Sequence, residues 1–491
     1  MNNYRIFPIT LWGLCISQII ATIYMVYCNQ QMATRISCLK ESGYLIVPNI
    51  HVLPELSSLQ TAFIGGLFFT GTIGLGMIGL ALLLSWHWTQ KQSKNKYAVR
   101  FLLILWVIVI LAVSYNGWNL LSWYTLLLMP ALIFFCLKNQ KKTLHHPIFF
   151  WCLPIVFLII VFFVENRSVS FVSIRDHLLL SNSIGQKLND WYYQYTLYPG
   201  EVIKPLSLKQ QKICYIDSDP FTQKKKLDAI KQKCIFYDYL VVPDRDMADI
   251  VIEINSSDIS LFSGNRRVIQ TDIDQFLRTP KKIFADFSKQ TDNNEFFRMC
   301  ILLSLILAAP ILSYIITMKV SFLVLRFLYI PDNFCQWLTP CIVFTLICMI
   351  IFQLPHKTEV KSSKNWQQKF QSAYDQHDWR TATTLLKEKD LIHTETIDKL
   401  ALNWLNETEH PVLKYWLIRF LVDVSEARVL FVRCLNDPQL NVVCQALYAL
   451  GHQGDRALIS TIRERIQTST HWYIQMYAYR ALKRLGWRNN N

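Results

Sequence analysis

The sequence predicts a polytopic α-helical membrane protein of about seven spans, with a small α/β extracytoplasmic domain and a C-terminal α-solenoid. Three observations predict it. Long stretches of the 491-residue chain carry no charge, so that 52% of residues are hydrophobic and only 17% charged, against about 25% charged in a soluble globular chain. Between Lys212 and about residue 290 short apolar runs alternate with turn signals. Near the C-terminus a helical pattern returns at a fixed offset. The composition excludes an ordinary cytosolic enzyme, a disordered chain and a small disulfide scaffold.

A helix needs roughly 20 apolar residues to cross a bilayer core of about 30 Å. The stretches that meet or approach this length are Phe7–Cys28, Ala62–Trp86, Ala98–Ser114, Leu120–Leu137, Ile148–Val164, Phe297–Met318 and Leu338–Leu354. Apart from Arg100 and Arg298 near two ends, they contain no Asp, Glu, Lys or Arg. The first lacks a clear small-residue cleavage site and reads as a retained helix rather than a signal peptide. If the spans alternate, Arg5, Lys91, Lys94, Lys96, Arg100, Lys138, Lys141, Lys142, Lys319 and Arg326 all fall on one side, against Arg35, Lys40 and Arg298 on the other. The bias predicts an inner-membrane, multi-pass protein with a cytoplasmic N-terminus and both soluble regions outside. The organisation is then 1–164 with five helices, 165–295 extracytoplasmic, 296–354 with two further helices, a polar linker at 355–364, and a helical domain at 365–491. Val320–Ile330 reads as a short interfacial helix.

Charge follows this division. The region 165–295 has 18 basic and 18 acidic residues, and 355–491 has 19 basic and 14 acidic. Most of the net charge of +15 therefore sits on the membrane part. It speaks for anionic lipid rather than nucleic acid.

The second apolar stretch is rich in glycine. Gly65, Thr72, Gly76 and Gly79 recur at heptad spacing, which suits close helix packing in lipid and self-association through this stretch. No ionisable residue lies deep in a span, so an ion-coupled transporter is disfavoured. His87, His145, His146 and Glu165 are the titratable groups near span mouths.

Of 13 cysteines, three outer pairs suit disulfides in an oxidising compartment: Cys28 with Cys38, Cys434 with Cys444 and, favoured, Cys214 with Cys234. Buried free thiols are the alternative.

In the first soluble region Leu180, Ile184, Leu188, Trp191 and Tyr195 share a helical face. Trp191, Tyr192 and Tyr195 belong to an aromatic shelf, read either as a partner contact or as a core and membrane-interface cluster. Pro199-Gly200 should end that helix. Ile213–Ile216, Phe236–Val242 and Asp249–Ile254 read as strands, and Asp219-Pro220 as a helix start. Ser263-Gly264-Asn265 marks a hairpin. Asp217-Ser218-Asp219 resembles the metal-binding DxD of a sugar transferase, but capping explains Asp219. Asp244, Asp246 and Asp249 do not fit a calcium loop. No catalytic, cofactor or metal residue is assigned.

At the C-terminal end Ala446-Leu447-Tyr448-Ala449-Leu450-Gly451 returns as Ala481-Leu482-Lys483-Arg484-Leu485-Gly486, 35 residues later. Asp437-Pro438 opens one unit and Gly451–Gly454 closes it. With Asn436–Asp455 carrying the motif, the region Pro411–Trp487 resembles the HEAT-like helical repeats. The resemblance implies a stack of helix pairs and a protein-binding role without chemistry. Asp375–Ala401 reads as a degenerate pair, also similar to a tetratricopeptide helix.

The expected function is an inner-membrane scaffold or anchoring subunit of an envelope complex. It would contact lipids and other envelope proteins, no nucleic acid and no cofactor. Arg463, Arg465 and Arg480 are the expected partner contacts on the repeats. A permease component with soluble gates, and an envelope enzyme acting on lipid or glycan through Glu165 and Asp176, are the alternatives.

Overall fold

The computed structural model describes residues 6–76, 175–218, 224–255, 258–304, 363–387 and 395–489, with isolated positions between 78 and 131 and between 320 and 338. Two compact units partition the chain. The first comprises Met1–Arg35, Pro54–Val164 and Tyr198–Ile351; the second comprises Ile36–Leu53, Glu165–Leu197 and Phe352–Asn491.

In the first unit, α1 (Ile6–Glu41) is one helix of 36 residues, about 54 Å long at 1.5 Å per residue. Its burial is inverted relative to a soluble helix. The ridge Gly13, Ser17, Ala21, Met25 and Asn29, four residues apart, is buried, while Trp12, Ile16, Ile19, Ile23 and Tyr27 are exposed. Mostly small and polar side chains, with Met25, face protein along this part of the helix, and large apolar ones face outward. That is the arrangement of a helix in lipid, where close packing rather than apolar burial holds neighbours together.

The helix α2 (Leu59–Phe69) runs on through a π-helical turn, Thr70–Gly74, and lies antiparallel to α1. A Cβ at Gly65 would meet Met25 at 3.1 Å, one at Gly66 the Thr22 backbone at 3.0 Å, and one at Gly74 the Ser17 hydroxyl at 2.6 Å. Gly76 instead faces Ser304. The heptad register of Gly65, Thr72 and Gly76 does not survive because the π turn inserts a residue, which rotates the following face by about 100°. Thr72 donates its hydroxyl to its own helix, at the Phe68 carbonyl, 2.7 Å away. Gly79 lies outside the described residues.

The seven-span expectation is corrected. Among the described residues one helix is long and apolar enough to cross a membrane, or two if the bent pair Ile50–Ser57 and Leu59–Gly74, 74° apart, forms a single span. Hydropathy counts apolar composition, whereas a span also needs an uninterrupted helix. The second stretch is helical from its start at Ala62 through Gly74, and the 74° bend lies before it, between Ser57 and Leu59. Ala98–Ser114, Leu120–Leu137, Ile148–Val164, Leu338–Leu354 and most of Phe297–Met318 lie outside the described residues, apart from isolated positions. The orientation drawn from alternating spans loses its premise with them. Of the segment read as interfacial, Val320, Leu323, Val324, Phe327, Leu328 and Tyr329 are exposed and Leu325 is buried.

The next helix, α3 (Ser183–Ile203), contributes its last turns to this unit. It passes through Pro199 instead of ending there. Tyr198, buried at the break, donates its hydroxyl to Glu55 at 2.7 Å. A five-stranded mixed sheet follows, ordered β2-β1-β3-β4-β5. Its order in sequence is β1 (Lys212–Ser218), α4 (Lys224–Phe236), β2 (Tyr239–Val241), β3 (Ile250–Ile254), β4 (Asp258–Ser263), β5 (Arg266–Asp272), α5 (Ile273–Arg278) and α6 (Pro280–Gln290). The strand β1 lies between β2 and β3 and is parallel to both, while β4 and β5 continue as an antiparallel hairpin. Gly264 supplies the positive φ of 59° that the hairpin turn requires. Ile250, Ile252, Ile259, Leu261, Phe276 and Phe287 form the core with the thiols of Cys214 and Cys234. Full burial of each large side chain contributes about 1.5–3 kcal/mol. After the sheet, α7 (Glu295–Leu303) places Phe297 on Phe69, with ring centroids 5.8 Å apart.

In the C-terminal part of the second unit the described helices form four pairs: α8 (Ser363–Asp375) with α9 (Trp379–Lys387), α10 (Glu395–Glu407) with α11 (Pro411–Phe420), α12 (Arg428–Cys434) with α13 (Leu440–Gln453), and α14 (Ile459–Thr468) with α15 (Trp472–Arg484). The second helices stack on one another in the order α9, α11, α13, α15. The repeated hexapeptide is where α13 meets α15. A Cβ at Gly451 would sit 2.7 Å from the Ala481 backbone, so the small residues of both copies let the helices touch. Gly454 closes α13 with φ at 77°.

Two other segments complete this unit. In the first, Ile46, Val47, Asn49 and Val52 are buried. The Asn49 side-chain amide donates to the carbonyls of Ile466 (2.6 Å), Gln467 (3.2 Å) and Ser469 (3.1 Å), which satisfies the end of α14. Its backbone N–H donates to Gln475 at 2.9 Å. The second segment, around residues 175–197, carries the candidate site.

Candidate functional site

The site grows from the second helices of the repeats. Nearly all of α13 is buried, and of its residues up to His452 only Tyr448 and His452 reach solvent. The rings on this layer carry cations. Lys387 and Arg419 lie 5.0 and 5.4 Å from the Trp416 ring, Arg480 5.7 Å from Tyr477, and Arg484 4.4 Å from Tyr448. Arg175, from outside the repeats, lies 4.2 Å over Tyr415. Tyr193 stacks on Tyr473 at 4.4 Å, and Tyr473 meets Tyr477 at 5.0 Å. The result is a set of rings and cations in a row along the stacked second helices of all four pairs, α9, α11, α13 and α15.

A buried carboxylate, Asp176, sits in this row, and a second, Asp423, lies at its Tyr448 end, 3.4 Å from Nδ1 of His452, whose ring stacks on Tyr448. Asp176 is fully buried. Its Oδ1 accepts from Arg175 at 2.7 and 3.0 Å, and its Oδ2 accepts from the Trp416 indole at 2.8 Å and pairs with Lys387 at 3.1 Å. Burial opposes the Arg175 charge, but Asp176 and Tyr415 beside it hold the guanidinium above its usual pKa. Burial also raises the Tyr193, Tyr473 and Tyr477 hydroxyls, which stay neutral near pH 7. Of the five cations on these rings, Arg175 and Lys387 are bonded to Asp176, while Arg419, Arg480 and Arg484 rest on Trp416, Tyr477 and Tyr448. Sequence reading placed Asp176 with Glu165 in an enzyme site. Its bonds to two cations and an indole give it an anchoring role instead, and Glu165 lies outside the described residues.

The α15 end of the row depends on His471. Its Nδ1 accepts from the Tyr473 N–H at 3.1 Å, capping α15. Burial lowers its pKa from 6.5 to about 4. The folded chain therefore resists a proton that the unfolded chain accepts below about pH 6.5. Stability present above that pH should fall as pH drops toward 4, since the folded state binds fewer protons across this window. The variant His471→Asn keeps a capping oxygen without the titration. Melting temperature followed between pH 6.5 and 4 should decline less steeply for the variant than for the natural chain. Equal slopes would remove His471 from this role.

The residues expected from sequence are distributed differently. Trp191 and Tyr192 are exposed at 47% and 40%, with Ile184 and Leu188 also outward and Tyr195 half-buried. The helix α3 turns Gly185 and Asn189 inward and carries Trp191 and Tyr192 outside, while Tyr193 stacks on Tyr473 and Tyr198 is buried, so the aromatic cluster is divided between surface and core. Arg463 and Arg465 lie on α14, a first helix, where Arg465 bonds Asn436. Arg480 lies on α15 in the row. The three do not form one surface.

Cys214 and Cys234 meet in the core of the sheet domain as unbridged thiols, and burial raises the Cys214 thiol well above its usual value. Cys28 and Cys38 lie ten residues apart on α1, about 15 Å, beyond the reach of a disulfide. Cys434 and Cys444 are free and buried.

The carboxyl ends of β1 and β3, where an open α/β sheet places its ligand site, are bridged by Arg245, which lies 3.1 Å from Glu253 and 3.6 Å from Asp217. Asp249 accepts from the Ile213 N–H at 2.8 Å and pairs with Arg35. Asp244 holds a turn through the Asp246 N–H. Among the described residues no group of three His, Cys, Asp or Glu side chains can hold a metal ion. His87, His145 and His146 lie outside them.

Lys387, Trp416, Tyr448, Tyr477 and Arg484 were missed. Their signal was available: aromatic and basic residues recur on the second helix of each pair. It shows only once the pairing is known. No protein-family model, curated protein or solved structure matches the chain.

Proposed function

We propose that this chain is a membrane-anchored scaffold subunit whose helical repeats hold a partner protein. The observation that carries the reading is the pair of exposed arginines, Arg480 and Arg484, that rest on Tyr477 and Tyr448 along the stacked second helices. Repeat stacks present extended surfaces suited to long partners. Arginine and aromatic side chains dominate the energetics of such contacts. The inverted burial of α1 supports anchoring, because its exposed isoleucines and Trp12 suit lipid. The exposed stripe Ile184, Leu188, Trp191 and Tyr192 adds a second apolar contact.

The test is purification of the full chain in mild detergent, after membranes are washed with alkaline carbonate. The reading expects the chain to resist the wash and to carry a stoichiometric partner, lost on Arg480→Glu with Arg484→Glu. Release by carbonate, or a homomer without partner, contradicts it.

A further inference from the structure

We infer that the exposed end of the row, formed by Tyr448, Tyr477, Arg480 and Arg484, recognises an acidic, extended protein segment through its carboxylates. The inference rests on the scaffold reading and names the chemistry of its partner.

The argument starts from the occupant the row already has. At Trp416 the chain seats a carboxylate, Asp176, between cations that rest on rings. The same elements recur further along. Tyr473 contacts Tyr477, and Arg480 rests on the Tyr477 ring. One turn on, Arg484 rests on Tyr448. Both arginines are exposed, and among the described residues neither pairs with a carboxylate. The dipole of α15 favours a cation in its last turn, which accounts for Arg484 alone. It does not account for Arg480 or for the placement of both on rings.

Stacking fixes the plane of a guanidinium and leaves its outer N–H groups free for a bidentate carboxylate. Arg480 and Arg484, four residues apart, share one helix face with side chains about 5–6 Å apart. Acidic side chains two apart on an extended strand point to one face, at about 6.5–7 Å. The two spacings differ by only about 1–2 Å, which the long arginine side chains can span.

The test uses the full chain in detergent and a short fluorescein-labelled peptide alternating glutamate with serine, followed by fluorescence anisotropy. The expected result is binding that the glutamine counterpart lacks. Arg480→Glu with Arg484→Glu should weaken it roughly tenfold, and Arg463→Glu with Arg465→Glu should not. Both pairs change net charge equally, so the comparison removes bulk attraction. If reversal costs folding, Arg480→Gln with Arg484→Gln is read against Arg463→Gln with Arg465→Gln. Equal binding of the glutamine peptide, equal weakening by both pairs, or competition only by phosphatidylglycerol vesicles overturns the inference. A co-purifying partner indifferent to Arg480 and Arg484 overturns acid recognition and leaves scaffolding standing. Peptide binding without any partner fails the scaffold reading alone.

Discussion

Replacing Asp176 by alanine is expected to destabilise the helical-repeat unit by about 3–5 kcal/mol, the cost of leaving buried cations without their counter-ion. Asp176 is fully buried, and its loss strands Arg175, Lys387 and the Trp416 indole together. For a unit of this size the melting temperature should fall by roughly 10 °C. Asp176→Asn keeps an acceptor for Trp416 but removes the charge, and should fall between the two. Calorimetry of the full chain in detergent measures both. A loss below about 1 kcal/mol, the range of exposed pairs, would mean that the carboxylate reaches solvent and that the row is not a built seat.

The second large effect is expected at Asn49. Asn49→Ala removes the donor that serves the carbonyls of Ile466, Gln467 and Ser469, and with it the acceptor of the His51 N–H. A buried polar group left unpaired costs about 1–3 kcal/mol, so the expected loss is on the order of 3 kcal/mol. Hydrogen exchange should locate it. Amides at the end of α14 and the start of α15 should lose protection, while those of α10 and α11 keep theirs. Uniform loss across all four pairs would contradict this local clamp.

Both effects arise where sequence-distant segments meet the repeats, which is why neither was legible in the sequence. The hairpin at Gly264 was legible, because a turn that needs positive φ lies between two β-rich runs. So was the contact of α13 with α15, since the 35-residue offset repeats the small residues that touch at Gly451 and Ala481. Seven spans are not supported, since among the described residues one helix, or two with the bent pair, is long and apolar enough to cross a membrane; the π turn after Phe69 likewise defeats a heptad count. Pro199 was misjudged because a helix tolerates proline when packing holds both sides; Tyr198 is buried and bonded at the break. The cationic row stayed hidden for a different reason. Lys387, Trp416, Tyr448 and Arg484 share no local spacing, and only the stacking of second helices lines them up.

The central claim is that this row is where a partner sits. Site-specific photo-crosslinking in intact membranes tests it most directly, with benzoylphenylalanine placed at His452, exposed beside Tyr448, and separately at Glu464, exposed on α14. The account predicts a discrete adduct with an acidic protein from His452, lost on Arg480→Glu with Arg484→Glu, and none from Glu464. No adduct from His452, or matching adducts from both positions, would contradict it.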